Sequence, residues 1–403
     1  MDLTGIMLVP RGAGVAWVHG TLGIADGRIA RVEVTGDARV LDLAGARVFT
    51  PGLIDLHVHG YGGWSPTEGI WIGGGQVEEQ VSSSAPPLER MAAALARAGT
   101  TAFQPTLFPA APAALSEIVQ AVWRAARALP RVGAAHVLGL HLEGPFVNPL
   151  AAGALPQADL AEPSPAALDA LFAGVEDGAV RTVTLAPELI GAAELCAELE
   201  TRGVRPSLGH SRATAADGRA LVRAAPETGF GVTHLYNAMS GVHHRDPGLA
   251  HFALTEASLF VELIGDLVHV GREGVELALA ARGPGHLCLV SDALAGAGTG
   301  CDVFHACGRD HVISGGAAYY PGPPRQLAGS ACSQWEMIQR LVAGGVVSLA
   351  DGLQMATRSP ARALGVEADR GVLAVGAAAD LLELDLAGPE PELAQVWVAG
   401  QPL

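Results

Sequence analysis

What most constrains this chain is a series of eight strand-like runs separated by stretches of helical character. The runs are Leu53–His59, Thr101–Leu107, His136–Glu143, Arg181–Ala186, Arg205–His210, Gly231–Tyr236, Ser258–Ile264 and His286–Ser291. Ala-rich helical patterns fill several of the gaps, among them Leu88–Ala98, Ala114–Leu129, Gly191–Arg202 and Glu273–Arg282. Strands alternating with helices predict parallel β/α units, and eight of them predict a closed (β/α)8 TIM-like barrel rather than an open sheet. The flanks read differently. Ala16–Ile24 and Arg28–Val34 bracket Asp26-Gly27, a strong hairpin signal. Further β-type runs close the chain at Asp380–Asp385 and Gln395–Ala399. At 403 residues there is room for one large barrel and a small companion. The Gly- and Ser-rich stretch Gly60–Pro87 is expected to be an active-site loop or lid.

The polar residues that interrupt these apolar strands fall at their carboxyl ends. The first strand ends in His57-Val58-His59, the third in Glu143, the fifth in His210 and the sixth in His234, while the eighth runs into Asp292. In a (β/α)8 barrel those ends meet on one face, where the active site lies. Histidines two apart on a strand point the same way, so His57 and His59 can share one ion. Imidazole nitrogens with carboxylate suit zinc or another first-row divalent ion that keeps a position open for water. Taken singly, each histidine is as well explained as a hydrogen-bonded core residue. As a set of four histidines and two carboxylates at the ends of one barrel's strands, they point to a metal centre.

Composition narrows the chemistry. The chain contains no lysine, which excludes a Schiff-base lysine, a P-loop lysine and a carboxylated lysine bridging two metals. A net charge of −16 excludes a broad nucleic-acid-binding surface, and an anionic substrate would need a local cluster of cations against that field. The five cysteines lack C-x-x-C spacing; Cys301 and Cys307 bracket His305 with His311 beyond, yet idle thiols in a reducing compartment explain them better than a second metal site. No apolar run approaches the ~20 residues of a membrane span and no leader pattern opens the chain, so a cytoplasmic location is expected.

Four segments carry a family resemblance. Pro51-Gly52-Leu53-Ile54-Asp55-Leu56-His57-Val58-His59-Gly60 resembles the first-strand signature of the amidohydrolase superfamily. His141-Leu142-Glu143-Gly144-Pro145-Phe146, Leu208-Gly209-His210-Ser211 and Thr233-His234-Leu235-Tyr236-Asn237-Ala238-Met239 are similar to the motifs of its N-acetylglucosamine-6-phosphate deacetylases. The resemblance implies a barrel at 51–365 and a small β-sandwich from 1–50 with 366–403. It implies Glu143, His210 and His234 as the main metal ligands, with His57 and His59 at a second position, so one or two divalent ions per chain. Zinc comes first, with iron, manganese or cobalt as alternatives, and Glu143 is the natural bridge. Asp292 matches the catalytic aspartate that takes a proton from the attacking water and passes one to the departing amine. Arg245, His269, Asn237 and Ala238 match phosphate-side positions; Ala154 and the loop Leu327-Ala328-Gly329 match contacts to the sugar. The resemblance further implies a homodimer acting on a small amino-sugar phosphate, with the arginine and phosphate-side histidine able to come from the neighbouring subunit.

One departure stands out. Where the family carries Gly-x-His, with a histidine that polarises the acetyl carbonyl, this chain has Gly153-Ala154-Leu155. A second ion could replace that histidine, His243 or His244 could supply it from another loop, or the substrate differs. The alternatives are a deacetylase for another acetamido sugar phosphate such as N-acetylgalactosamine 6-phosphate, a cyclic-amide or aminopurine hydrolase, and an inactive binding protein. The phosphate-side set speaks against the second and the retained Asp292 against the third.

Overall fold

The structure, a computed structural model, describes residues 1–39, 43, 45–69, 71–72, 75–76, 85–225 and 229–403. Eight strands follow one another around a parallel sheet: β1 Leu53–Val58, β2 Thr100–Leu107, β3 Leu140–Glu143, β4 Val180–Leu185, β5 Arg205–Leu208, β6 Gly231–Val232, β7 Phe260–Ile264 and β8 Leu287–Val290. His136–Val137, expected to be continuous with β3, instead forms a separate short strand on β2. The sequence placed each of the eight within a few residues. Several stop earlier than expected because the polar residues at their ends leave the extended region: His210, His234 and Asp292 have φ of 46°, 30° and 47°.

The seam between β8 and β1 closes at the carboxyl end. Asp292 N–H donates to His57 O at 2.8 Å and Gly60 N–H to Ala293 O at 2.9 Å. Deeper in, Asp55 Oδ1 accepts from the N–H groups of both His57 and Ser291 at 3.2 Å, so one buried carboxyl joins the first strand to the last. Gln334 adds a stitch at the other end, donating from Nε2 to Ile54 O and Leu289 O. The barrel interior is unusually polar for a packed core. His141, Thr184, Thr233 and Ser207 form a hydrogen-bonded chain across it, with links of 2.8, 2.8 and 2.7 Å.

Helices cover the outside because their apolar residues recur at three- and four-residue spacing. Pro87–Arg97 buries Leu88, Met91, Ala92 and Leu95; Pro112–Arg127 buries Leu115, Val119 and Val122. Capping boxes open two others, Thr214 with Asp217 and Ser333 with Glu336, satisfying first-turn N–H groups.

A second sheet joins both ends of the chain, in the order Gln401–Pro402, Glu392–Val398, Leu381–Asp385, Val48–Pro51, Asp2–Arg11, Gly14–Ala25, Arg28–Asp37. Its side chains alternate: Ile6 and Leu8 enter the main core, while Met7 faces a separate cluster with Leu22, Phe49 and Leu381. Asp26 and Gly27 turn its second hairpin with φ of 51° and 73°, the left-handed pair that a two-residue loop demands.

A third sheet was not anticipated. Val303–Ala306, Arg309–Ser314, Ala317–Tyr320 and Gln326–Ser330 form a meander inserted after β8, with Trp71–Ile72 and Gly75–Gln76 extending it. The signal was present in the sequence: Cys307-Gly308 and Gly315-Gly316 occupy the tight turns, all four with positive φ. The expected lid Gly60–Pro87 therefore contributes, in part, an edge of this sheet; residues 70, 73–74 and 77–84 of it lie outside the described residues.

Candidate active site

Four imidazoles converge on one carboxylate at the carboxyl end of the barrel. Glu143 Oε1 lies 2.9 Å from His234 Nε2, 3.0 Å from His210 Nε2 and 3.5 Å from His57 Nε2, and its Oε2 lies 3.1 Å from His59 Nε2. Asp292 Oδ1 faces the same pair from the far side, 3.5 Å from His57 Nε2 and 3.6 Å from His59 Nε2. All six residues come from strand ends, where the sequence put them. His57 and His59 lie on the same side of β1 because a strand repeats every two residues.

Second contacts fix which nitrogen faces inward. His210 Nδ1–H donates to Ala151 O at 2.9 Å, which leaves its Nε2 with a bare lone pair. His57 Nδ1 lies 3.2 Å from Glu262 Oε2, so its Nε2 is bare too. The Nε2 atoms of His210 and His234 lie 3.0 Å apart and those of His57 and His59 3.3 Å apart, while the Nδ1 atoms of His59 and His234 are buried with no hydrogen-bond partner. Metal–nitrogen bonds of about 2.0–2.1 Å would set tetrahedral ligand atoms roughly 3.3 Å apart. The residues present fit a divalent ion. They form two groups, Glu143–His210–His234 and His57–His59–Asp292, with Glu143 between them.

Burial sets the electrostatics. It pushes the Glu143 carboxyl up, but the facing imidazoles outweigh it and hold the group well below its ordinary value. Asp292 has no such compensation: burial and the negative charge of Glu143 raise its carboxyl well above the usual carboxylate range. Burial drives His57 well below its ordinary value and His141 down to about 3, so both stay neutral.

One cavity gathers most of the remaining expected residues. Ala154, Asn237, Ala238, His269, Leu327, Ala328 and Gly329 line it together with His59, Glu143, His210, His234 and Asp292. Leu327, Ala328 and Gly329 belong to a strand of the third sheet, not to a loop. His269 Nδ1 is tied to Asp266 Oδ2 at 2.6 Å, leaving Nε2 for the cavity. The Asn237 amide is turned back on its own turn, donating to His234 O and Leu235 O at 3.3 and 3.2 Å. Arg245 is not brought in: it lies exposed on the segment between Met239 and Leu249, beside exposed His243 and His244. Neither of those histidines lines the cavity; His243 Nδ1 instead accepts from the Asp246 N–H at 3.0 Å. Leu155 is buried in the cavity wall among Val147, Ala152 and Phe108.

Three residues here escaped the sequence reading. Glu262 and His141 are inward-facing polar residues in the middle of apolar strands, and Phe108 stacks on His59 with ring centroids 4.0 Å apart. A lone charge in a buried run was the available signal. Of the Cys301–Cys307 neighbourhood, His305 pairs with Asp310 and His311 stacks on Phe304; among the described residues they form no metal-binding group.

Comparison with known proteins agrees with this geometry. The model of the amidohydrolase family matches residues 48–403. The chain is 34% identical to an N-acetylgalactosamine-6-phosphate deacetylase of Escherichia coli O157:H7, over 94% of this chain and 93% of that protein. It is 32% identical to an N-acetylglucosamine-6-phosphate deacetylase of Bacillus subtilis (strain 168), over 90% of this chain and 88% of the other. The crystal structure of the N-acetyl-D-glucosamine-6-phosphate deacetylase from Mycobacterium smegmatis superposes with a TM-score of 0.83 at 30% identity, covering all of both chains.

Proposed function

This chain belongs to the amidohydrolase family, and from that premise we propose that it hydrolyses N-acetylglucosamine 6-phosphate to glucosamine 6-phosphate and acetate. The observation that carries the reading is the convergence of His57, His59, His210 and His234 on Glu143 with Asp292 opposite. His57, His59, Glu143, His210 and His234 would hold one or two divalent ions, with zinc the best match to the donor set. Such an ion activates water and polarises an amide carbonyl.

Asp292 supplies the proton transfers. Its carboxylate, 3.5 Å from His57 Nε2 and 3.6 Å from His59 Nε2, is placed to accept a proton from water as the water oxygen bonds to the acetyl carbon. The same proton then passes to the nitrogen as the carbon–nitrogen bond breaks. Glu262 orients His57, and Ala151 O orients His210, so the imidazoles are fixed before substrate arrives.

The substrate's phosphate would lie at the end of the cavity marked by Asn237, Ala238 and His269. His234, Tyr236 and Ala238 alternate in the left-handed region with φ of 30°, 75° and 47°, the kind of alternation that turns N–H groups toward an anion. Arg245, exposed on its own chain, would serve a phosphate across the interface of a homodimer. Among the described residues no helix is long and apolar enough to cross a membrane.

N-acetylgalactosamine 6-phosphate is the second reading, favoured by the identity to the E. coli enzyme. Amine release from N-acetyl sugars of both epimers, with and without the 6-phosphate, decides between them. Equal use of phosphorylated and unphosphorylated sugars would overturn the phosphate assignment.

A further inference from the structure

Beside the cavity just described lies a second one of about 320 Å³. The two share His59, Phe108, Ala154 and Ala328 as walls, whereas Asn237, Ala238 and His269 line only the first. Leu294 and Ala295, which follow Asp292, form part of its wall together with Phe304, Ala306 and Tyr320 of the third sheet. Phe304, Leu294, Ala295 and Ala318 pack together as a small core of their own, with Phe108 and Ala306 against it.

An amide presents two substituents that leave its carbonyl carbon in different directions. If the amine-bearing sugar phosphate occupies the Asn237–His269 end, the acyl group is directed elsewhere around the Glu143 cluster. The cavity sharing His59 and Phe108 adjoins that position, and its walls are mostly apolar, with Ser65, Asp159, Arg309 and His311 as polar members. An acetyl methyl needs little of it: a methyl is about the size of a water, which occupies on the order of 10–15 Å³ of such space. The volume present matches the lower end of small-molecule sites, roughly 300–1,000 Å³.

We propose that this second cavity is an acyl subsite, and that the enzyme releases apolar acyl groups larger than acetyl, such as butyryl or benzoyl, from amino-sugar phosphates. The inference rests on the deacetylase reading above and extends its substrate class. The chemistry is unchanged. The water oxygen bonds to the acyl carbon, the carbon–nitrogen bond breaks, the nitrogen gains a proton, and the acyl group leaves as a carboxylate.

The test is kinetic. The metal-loaded enzyme is assayed for amine release from N-acetyl-, N-butyryl- and N-benzoylglucosamine 6-phosphate. Each buried methylene is worth roughly fourfold in binding, so kcat/KM for the butyryl substrate should equal or exceed that for acetyl. Ala306→Phe, which fills the second cavity alone, should lower butyryl and benzoyl turnover at least tenfold and leave acetyl within about threefold. Ala306→Leu gives a milder version should the larger ring disturb the sheet. Butyryl and benzoyl substrates turned over a hundredfold more slowly than acetyl would overturn the proposal, as would variants that slow all three alike. Calorimetric titration with acetate, butyrate and benzoate supplies a readout independent of turnover. Butyrate and benzoate should bind more tightly than acetate, and Ala306→Phe should abolish the difference; equal binding of all three would refute the subsite. If no acylated sugar phosphate is cleaved, acetyl included, the deacetylase reading fails while this titration still decides the subsite.

Discussion

Replacing Glu262 with leucine tests whether the second contacts hold the histidines in register. The Glu262 carboxylate accepts from His57 Nδ1–H at 3.2 Å and from the His234 backbone N–H at 3.3 Å, both through Oε2. Both contacts lie within the barrel, where Glu262 is buried. Leucine fills a similar volume but can accept from neither the His57 ring nor the His234 N–H. A hydrogen bond to a charged partner contributes about 1.5–3 kcal/mol, or a factor of about 10–10² in a dissociation constant. Removing the partner behind a metal-ligating histidine costs the same range. Zinc affinity, measured by competition with a chromophoric chelator, should therefore fall about 10–100-fold. Activity should fall with it at limiting zinc and recover substantially in excess zinc. Melting temperature measured with metal stripped separates this effect from unfolding. Affinity within twofold of the wild type, with the fold intact, would refute both the role of Glu262 and the placement of His57 Nε2 toward the ion.

Asp292→Asn should retain bound metal by elemental analysis while turnover drops about 10²–10⁴-fold, the range for losing a general acid–base. Arg245→Ala should weaken use of the phosphorylated sugar by about 10–10³-fold and spare the unphosphorylated one; equal impairment of both would remove Arg245 from phosphate recognition. His311, stacked on Phe304 and held by burial to about 4, favours its neutral form in the folded chain. That contribution is present above the unfolded value near 6.5 and is lost as pH falls through 6.5 toward 4, so His311→Phe should lose less stability than wild type over that window, by up to about 3 kcal/mol in denaturant titrations.

The barrel was legible because its period is simple. Each strand is a short apolar run, and the residues that break it, His57, His59, Glu143, His210, His234 and Asp292, do so only at carboxyl ends. The polar interior was not legible. His141 and Glu262 pair with residues on other strands, and nothing local says that a charge on β7 meets an imidazole on β1. The third sheet escaped for a different reason. Its strands are four to six residues long and none alternates cleanly, so only the glycine-bearing turns betray it. Arg245 shows the reverse case: a motif match located it in the sequence, but its exposed position depends on how the segment after Met239 runs.

The insertion that carries the third sheet leaves and re-enters the barrel at one point. Leu294 N–H donates to Ser330 O at 3.0 Å and Ser330 N–H to Asp292 O at 2.8 Å, so the two ends run side by side. That makes the segment between them an exchangeable cassette. A graft that preserves the pairing at Ala293 and Ser330 alters Phe304, Ala306 and Ala328 together while His57, Glu143, His210 and His234 keep their anchors elsewhere in the chain. Loop closure depends weakly on length, about 0.6 kcal/mol per doubling, so cassettes of quite different size impose similar entropic costs on the barrel. Substrate range in this scaffold can thus diversify by swapping one contiguous stretch, with the residues that do the chemistry left untouched.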